Sequence, residues 1–277
     1  MVTPITVTTL YLAILYCLAL IVNRPVPLWF ELFRVSGLIA GFIIPHLIYS
    51  RVKHYPIRIE NILITSLIIL LIASRSTTLW GMVVIGLVTF LIKTGLRLKG
   101  LPLFNPAAAG LVLGAVVGVI PSWWGVSLAP RLPWFDISWL MFITLPVGIY
   151  LAVKYQKLPT VIGTSLGLIV SYLLLNRELP LRLLFEGTAA FFIFIMATEP
   201  KTTPVQDKDE WWYALSLGSL IPLLLKFEAL PPYLTPLIIV NGLFALERLL
   251  LSFPSQKSKL GSIKLQLKPD LPRSGSQ

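Results

Sequence analysis

Apolar runs separated by short polar stretches set the rhythm of this chain. Ten such runs can be marked, at residues 5–22, 35–50, 62–74, 77–92, 104–120, 137–153, 158–175, 183–197, 211–227 and 233–253. Their length and continuity predict helices that cross, or partly enter, a lipid bilayer. Several are short. At about 1.5 Å per residue the run at 183–197 reaches only about 22 Å, against a hydrocarbon core of about 30 Å, which predicts a discontinuous or partly re-entrant helix. The run at 104–120 is also short, and both are bordered by unusual polar sequence.

Composition fixes the setting. With 56% hydrophobic and 13% charged residues and a mean hydropathy of +0.83, the chain has too little polar surface to coat a soluble globule, so it reads as an integral membrane protein. A net charge of +11 in a soluble protein would suggest nucleic acid. Here the Lys and Arg residues lie between apolar runs and near the C-terminus, the pattern of topological anchoring, and nucleic acid is set aside. With ten crossings and an N-terminus inside, sixteen basic residues fall on the cytoplasmic side and seven outside, which predicts both termini in the cytoplasm. If runs five and eight re-enter without crossing, the division is seventeen to six, and the termini stay where they are. Residues 5–22 are followed by Arg24, with no preceding basic region and no small-residue cleavage site, so they read as a first membrane helix, not a signal peptide. Residues 1–253 form the polytopic domain; residues 254–277, rich in Ser, Lys, Gly and Pro, read as a solvated, disordered basic tail. The lone Cys17 offers neither an intramolecular disulfide nor a thiolate metal cluster.

Two stretches carry more information than their hydropathy. In Phe104-Asn105-Pro106-Ala107-Ala108-Ala109-Gly110, Asn105 is placed to cap a helix whose first turn starts at Pro106, where the missing N–H has no cost. Gly110, Gly114 and Gly118 then recur at four-residue intervals and predict a smooth stripe for a close helix neighbour, with Gly163 and Gly167 a second, shorter one. In the other half, Pro200 and Pro204 break the chain after run eight, while Thr198, Thr202 and Thr203 supply hydroxyls for the freed backbone groups. Two short, proline-interrupted runs, one in each half, point to an internally repeated membrane fold around a central site; the plainer alternative is that both only cap and pack short helices.

Other candidate chemistry is sparse. Glu186 and Glu247 lie in or near apolar runs, but close enough to their ends to snorkel or pair with neighbours. His46 and His54 flank a basic loop with no second ligand at metal spacing, so no metal site is expected. Trp123, Trp124, Trp134, Trp139, Trp211 and Trp212 gather near run ends as an aromatic belt. Neither a phosphate-binding loop nor a dinucleotide fingerprint occurs, so any nicotinamide or iron–sulfur chemistry belongs to partners.

Three stretches taken in order, KTGLRLKGLPLFNPAAAGL, FEGTAAFFIFIMATEPKTTP and TPLIIVNGLFALERLL, resemble the RnfD/NqrB family, the large membrane subunits of the Rnf and Nqr complexes. The resemblance runs from about residue 35 to 253. The family's Phe-Asn-Pro-Ala-Ala is matched through Ala108, and its Met-Ala-Thr-Asp-Pro-x-Thr-Ser-Pro by Met196 to Pro204, with Glu199 in place of Asp and Thr203 in place of Ser. Asn241 falls where the family has an Asn in its last helix. The resemblance implies an all-α membrane protein of about ten transmembrane or partly re-entrant helices, an inverted repeat similar to the urea-transporter fold. It also implies a role in a flavin-containing complex coupling electron transfer to sodium or proton movement, with other membrane and peripheral redox subunits as partners in a cell inner membrane or other energy-transducing membrane. The site residues it suggests, for cofactor binding or pathway lining, are Asn105, Pro106, Thr198, Glu199, Pro200, Thr202, Pro204 and Asn241.

One departure matters. The redox pumps of this family carry FMN on a threonine in a Ser/Thr-Gly-Ala-Thr motif between the two stretches, and residues 110–195 contain no Gly-Ala-Thr. No covalent flavin residue is therefore expected; FMN or another flavin, where bound, is held without a covalent bond, and Trp123, Trp124 and Trp134 are candidates to stack on its ring. The alternative function is a stand-alone small-solute or ion channel using the same fold without redox chemistry.

Overall fold

The computed structural model describes residues 3–22, 27–54, 56–98, 100–127, 140–177, 180–203, 207–227 and 230–252. They are mostly helical. In the first half, α1 (Pro4–Val22) is followed by α2 (Leu28–Leu38), a π-helical turn at Ile39–Ile43 and α3 (Ile44–Val52), which together run as one apolar helix. Then come α4 (Ile59–Ile72), α5 (Leu79–Gly95), a two-stranded hairpin of β1 (Arg97–Leu98) and β2 (Leu101–Pro102), and α6 (Pro106–Val116). In the second half, α7 (Met141–Lys154) and α8 (Leu158–Asn176) precede the short α9 (Leu181–Leu184), α10 (Gly187–Phe191) with a π-helical turn at Phe192–Met196, α11 (Asp207–Phe227) and α12 (Leu234–Ser252).

Three of these helices, Pro4–Val22, Leu28–Val52 and Leu158–Asn176, are long and apolar enough to cross a membrane. Others are apolar but shorter, Pro106–Val116 and Gly187–Met196 most of all, in keeping with the brevity of the corresponding runs. The second helix starts earlier than the run at 35–50 suggests, because Glu31 and Arg34 interrupt the hydropathy without interrupting the helix: the two pair with each other across one turn.

Glycines set the closest helix contacts. A β-carbon at Gly37 would stand 2.6 Å from the Leu79 carbonyl oxygen and 2.8 Å from Met82, and one at Gly86 would stand 2.9 Å from the Gly41 carbonyl carbon; Gly41 in turn lies against Val83. The α8–α11 contact is built alike. A β-carbon at Gly163 would meet Ala214 at 2.7 Å and Trp211 at 3.3 Å, Gly167 lies against Leu215, and Gly218 packs on Thr164 and Leu168. Leu79, Met82 and Val83 precede Gly86 by seven, four and three residues, and Trp211, Ala214 and Leu215 precede Gly218 by the same intervals. Small residues at these crossings let backbones touch where apolar side chains in lipid would supply no driving force.

The expected stripe on α6 is realised in part. Gly110 packs on Thr89 and Gly114 on Ile85 of α5, but α6 ends at Val116, and Gly118 lies beyond it at φ +88° with no atom within 4 Å of where a β-carbon would be. Its role is the left-handed turn that follows the helix, a conformation glycine adopts freely.

Candidate functional site

A cavity of about 220 Å³ lies where several helix ends meet. The starts of α1, α4 and α6 contribute Thr8, Asn61 with Thr65, and Asn105 with Pro106; the ends of α5 and α7 contribute Lys93 and Tyr155; and the π-helical turn with its following connector contributes Phe194, Thr198, Glu199, Pro200 and Lys201. Leu151, Ile64, Ile68 and Phe194 form its apolar walls, while Arg97, exposed Gly100 and exposed Leu101 of the hairpin border its mouth. The two unusual stretches of the sequence are therefore neighbours on one cavity.

Local chemistry explains each side. Asn105, in extended backbone (φ −60°, ψ 115°), accepts the Ala108 N–H on its Oδ1 at 3.0 Å, so the helix starts at Pro106 as its cap predicts. On the connector, Thr198 Oγ1 donates to the Phe194 carbonyl at 2.6 Å and Thr203 Oγ1 to the Glu199 carbonyl at 2.9 Å. These bonds satisfy backbone oxygens that the proline break and the π-helical turn would leave bare. Thr202 differs from that expectation: its hydroxyl donates to the Glu199 carboxylate, at 3.3 Å. Lys93 Nζ donates to the Asn61 carbonyl at 3.1 Å and to Thr65 Oγ1 at 3.2 Å, and stands 5.0 Å from the centre of the Phe42 ring.

Glu199 and Lys201 sit on the connector, outside the apolar helices. Burial pushes the Glu199 carboxyl above the usual carboxylate range, opposed by the charges of Lys201 and Lys93 and by the Thr202 hydroxyl. Burial likewise pushes the Lys201 ammonium below its ordinary value, opposed by the Glu199 carboxylate.

Of the residues expected at a site, Asn105, Pro106, Thr198, Glu199 and Pro200 line the cavity, and Thr202 reaches it through Glu199. Asn241 lies apart, buried on α12, where its Oδ1 accepts the Tyr213 hydroxyl at 2.8 Å and its Nδ2 has no partner among the described residues. Pro204, Trp134, Trp139 and residues 254–277 lie outside the described residues. Glu247 is exposed, and the described residues contain no cluster of three or more His, Cys, Asp or Glu able to hold a metal.

The expectation for Trp123 and Trp124 is corrected by their surroundings. Trp123 is buried with its ring edge-on to Tyr233 at 5.5 Å. Trp124, also buried, has the Arg75 guanidinium 4.7 Å and the Arg34 guanidinium 5.3 Å from its ring centre, and Tyr16 edge-on at 6.1 Å. Side chains of the protein itself already cover these indoles, so they offer no open face for a flavin.

Those same residues seal the far end of α4. Arg34, fully buried, gives Nη1 to both Glu31 oxygens at 2.7 and 2.8 Å and Nη2 to the Leu70 and Ala73 carbonyls, each at 2.9 Å. Trp124 Nε1 adds a second bond to Leu70 O at 2.8 Å, Gly125 N serves Leu71 O, and Ser122 N and Trp123 N serve Ile72 O. The segment from Ser122 to Gly125 thus caps the carbonyls at the end of α4, about one turn beyond the cavity-lining Ile68, whereas Asn61 lies at the helix start. A second buried ionic group joins Lys157 and Glu210 at 3.4 Å, with the Thr160 N–H and hydroxyl also donating to Glu210. Hydropathy directs attention to Glu186 and Glu247 and misses Glu31 and Glu210; the available signal is the Glu31–Arg34 spacing of three.

Neither a scan against protein-family models nor a search of curated proteins returns a match for this chain. Fold and site define a class: a mostly helical protein with three helices long and apolar enough to cross a membrane, and with a cavity bordered by polar residues where several helix ends meet.

Proposed function

We propose that the chain is the membrane subunit of a redox-driven, ion-translocating electron-transport complex, of the RnfD/NqrB type, and that the cavity is the seat of a flavin held without a covalent bond. The observation that carries this reading is the convergence of Asn105-Pro106 with Thr198-Glu199-Pro200 on one cavity, since these are the stretches on which the family resemblance rests. The residues fit such a group: apolar walls from Ile68, Leu151 and Phe194 suit a ring, and Asn105, Thr198 and Glu199 offer polar atoms. At about 220 Å³ the volume is below the roughly 300 Å³ at which pockets begin to enclose a whole drug-sized ligand, so the side chain of a flavin extends to the mouth. A bound flavin would supply one- or two-electron transfer; the protein excludes water from its ring and leaves its partners to deliver electrons. The hydrogen bonds that tie residues 122–125 to the end of α4 favour a binding pocket over an open pore along that helix.

The matched glycine crossings support an inverted repeat. The Gly37–Gly41 helix arrives at the cavity end, since α4 starts there, whereas the Gly163–Gly167 helix departs from it after α7. The α5 helix ends there and α11 leaves from it. Two similar units in opposite direction are the arrangement in which a site forms between broken helices. The same reading puts the chain in a cell inner membrane or other energy-transducing membrane with both termini in the cytoplasm, among other membrane and peripheral redox subunits.

A second reading, a stand-alone small-solute or ion path, is favoured by the modest cavity volume and by the missing Gly-Ala-Thr. One pair of measurements separates them. Protein purified from its native membrane should show flavin absorbance and, in liposomes, no flux of small neutral solutes; flux without flavin would replace the first reading by the second.

A further inference from the structure

Three helices that border the cavity at one end build a second recess at the other. Asn61 at the start of α4, Lys93 near the end of α5 and Asn105 before α6 all lie on the first cavity. The second, of about 620 Å³, is lined by the connector that leaves α4, by the first turns of α5 and by residues that follow α6. At about 1.5 Å per residue, the 11 residues of α6 span about 16 Å between the two.

The side chains that give the recess its polarity are all hydroxyls, those of Ser74, Ser76, Thr77, Thr78 and Ser122. Among the described residues no charged side chain lines it. Arg75, in the middle of the connector, has its guanidinium over the Trp124 ring, 4.7 Å from the ring centre, and is not part of the lining. Local bonds leave the hydroxyls with capacity to spare. Ser74 and Ser76 share one bond at 2.7 Å, and Thr78 Oγ1 accepts the Gly81 N–H at 3.2 Å to cap α5, keeping its own proton for a further acceptor. Thr77 is only 6% exposed, and its Oγ1 has no partner among the described residues. A buried hydroxyl left unpaired is costly, and a ligand that supplied the partner would recover that cost. Apolar side chains complete the recess: Trp80 is 74% exposed, and Val84, Val117 and Ile120 are exposed beside it.

We infer that this recess binds a lipid with an uncharged, hydroxyl-rich headgroup, a sugar carried on acyl chains. A hydroxyl both donates and accepts, so five of them match a polyol, whose own groups do the same. A phosphate headgroup would find no Lys or Arg on the wall to hold it. The indole face of Trp80 carries the negative side of its quadrupole, which suits the C–H face of a sugar ring. The lipid, in preference to a free sugar, follows from Val84, Val117 and Ile120, which adjoin the hydroxyls in the same recess and offer acyl chains a surface.

The test uses full-length protein in a detergent without a sugar headgroup, with native mass spectrometry to count the lipid that stays bound. Glucosyl diacylglycerol is compared with diacylglycerol and phosphatidylglycerol of the same acyl chains, and with free glucose. Glucosyl diacylglycerol should bind at least about tenfold more tightly than the other two lipids, since several hydroxyl pairs each add a modest increment. Thr77→Val and Trp80→Leu should each lower that affinity about fivefold. Without lipid, Thr77→Val should unfold at the same temperature as the parent protein or higher, because it removes an unpaired buried hydroxyl. Equal binding of the three lipids, or a preference for phosphatidylglycerol, would overturn the inference, as would a sugar preference that both variants retain. Glucose held as tightly as the glycolipid would overturn the lipid as occupant.

Discussion

Gly86 faces the backbone of Gly41 so closely that a β-carbon on it would stand 3.0 Å from the Gly41 α-carbon. Gly218 has the corresponding place against Thr164 and Leu168 in the second half. Neither contact has room for a methyl group, and the atoms in the way are backbone, which cannot swing aside.

Gly86→Ala and Gly218→Ala should therefore each destabilise the protein by about 1–3 kcal/mol through overpacking. Gly95→Ala is the matched control: nothing lies within 4 Å of its would-be β-carbon, so it should be neutral or slightly stabilising, by up to about 1 kcal/mol. Unfolding in detergent compares the three, and equal stability of all would show that the helices separate at these crossings in solution.

Arg34 is the buried cation whose removal should cost most. Arg34→Met leaves Glu31 without its bidentate partner and strips the Leu70 and Ala73 carbonyls of a donor, a loss of about 3–5 kcal/mol. Adding Glu31→Gln should recover part of that loss, because the uncompensated carboxylate is gone. Thermal unfolding of the single and double variants checks the sign; a double variant worse than the sum of the two single variants would contradict the pairing.

At the cavity, Asn105→Ala removes a helix cap and should cost about 0.5–2 kcal/mol, whereas Thr202→Val keeps the shape and deletes one hydroxyl. Both variants should remain folded and inserted yet lose cofactor retention beyond what their lowered stability explains. Retention per folded molecule, with thermal stability as the control, decides between a binding site and mere packing, for which both variants would retain cofactor in full.

No flavin should be attached covalently, because the chain lacks Gly-Ala-Thr between its two motif stretches. Under ultraviolet light a denaturing gel should show no fluorescent band at the mass of the chain, and mass spectrometry no flavin phosphate on any threonine.

A cysteine introduced at Ser274, beyond the five basic residues that follow Arg248, should resist an impermeant thiol reagent in intact cells and react after permeabilisation. Cys17, exposed on α1, is replaced by Ser in that experiment.

Much of the helical framework could be read from sequence, since long apolar runs have few ways to satisfy their backbone other than as helices. The cap at Asn105 was equally legible, because a cap depends on residues three apart. The proposed repeat has a counterpart in the chain too, as Val35-x-Gly37-x-x-x-Gly41 against Val161-x-Gly163-x-x-x-Gly167 and as Ala73-Ser74-Arg75-Ser76-Thr77-Thr78 against Ala197-Thr198-Glu199-Pro200-Lys201-Thr202-Thr203. A reading guided by prolines passes over it: Pro200 marks one of the two connectors and has no counterpart in the other.

The sequence by itself determined what depends on neighbours along the chain: helical class, apolarity, the cap at Asn105 and the break after Met196. Tertiary structure alone decided which charges share a space. Lys93, Arg97 and Lys201 surround one cavity, and Arg34 crosses to carbonyls on α4, because packing brings helix ends together across long stretches of chain. Electrostatic fields add through space, so residues distant in sequence can form one site that local pattern does not reveal.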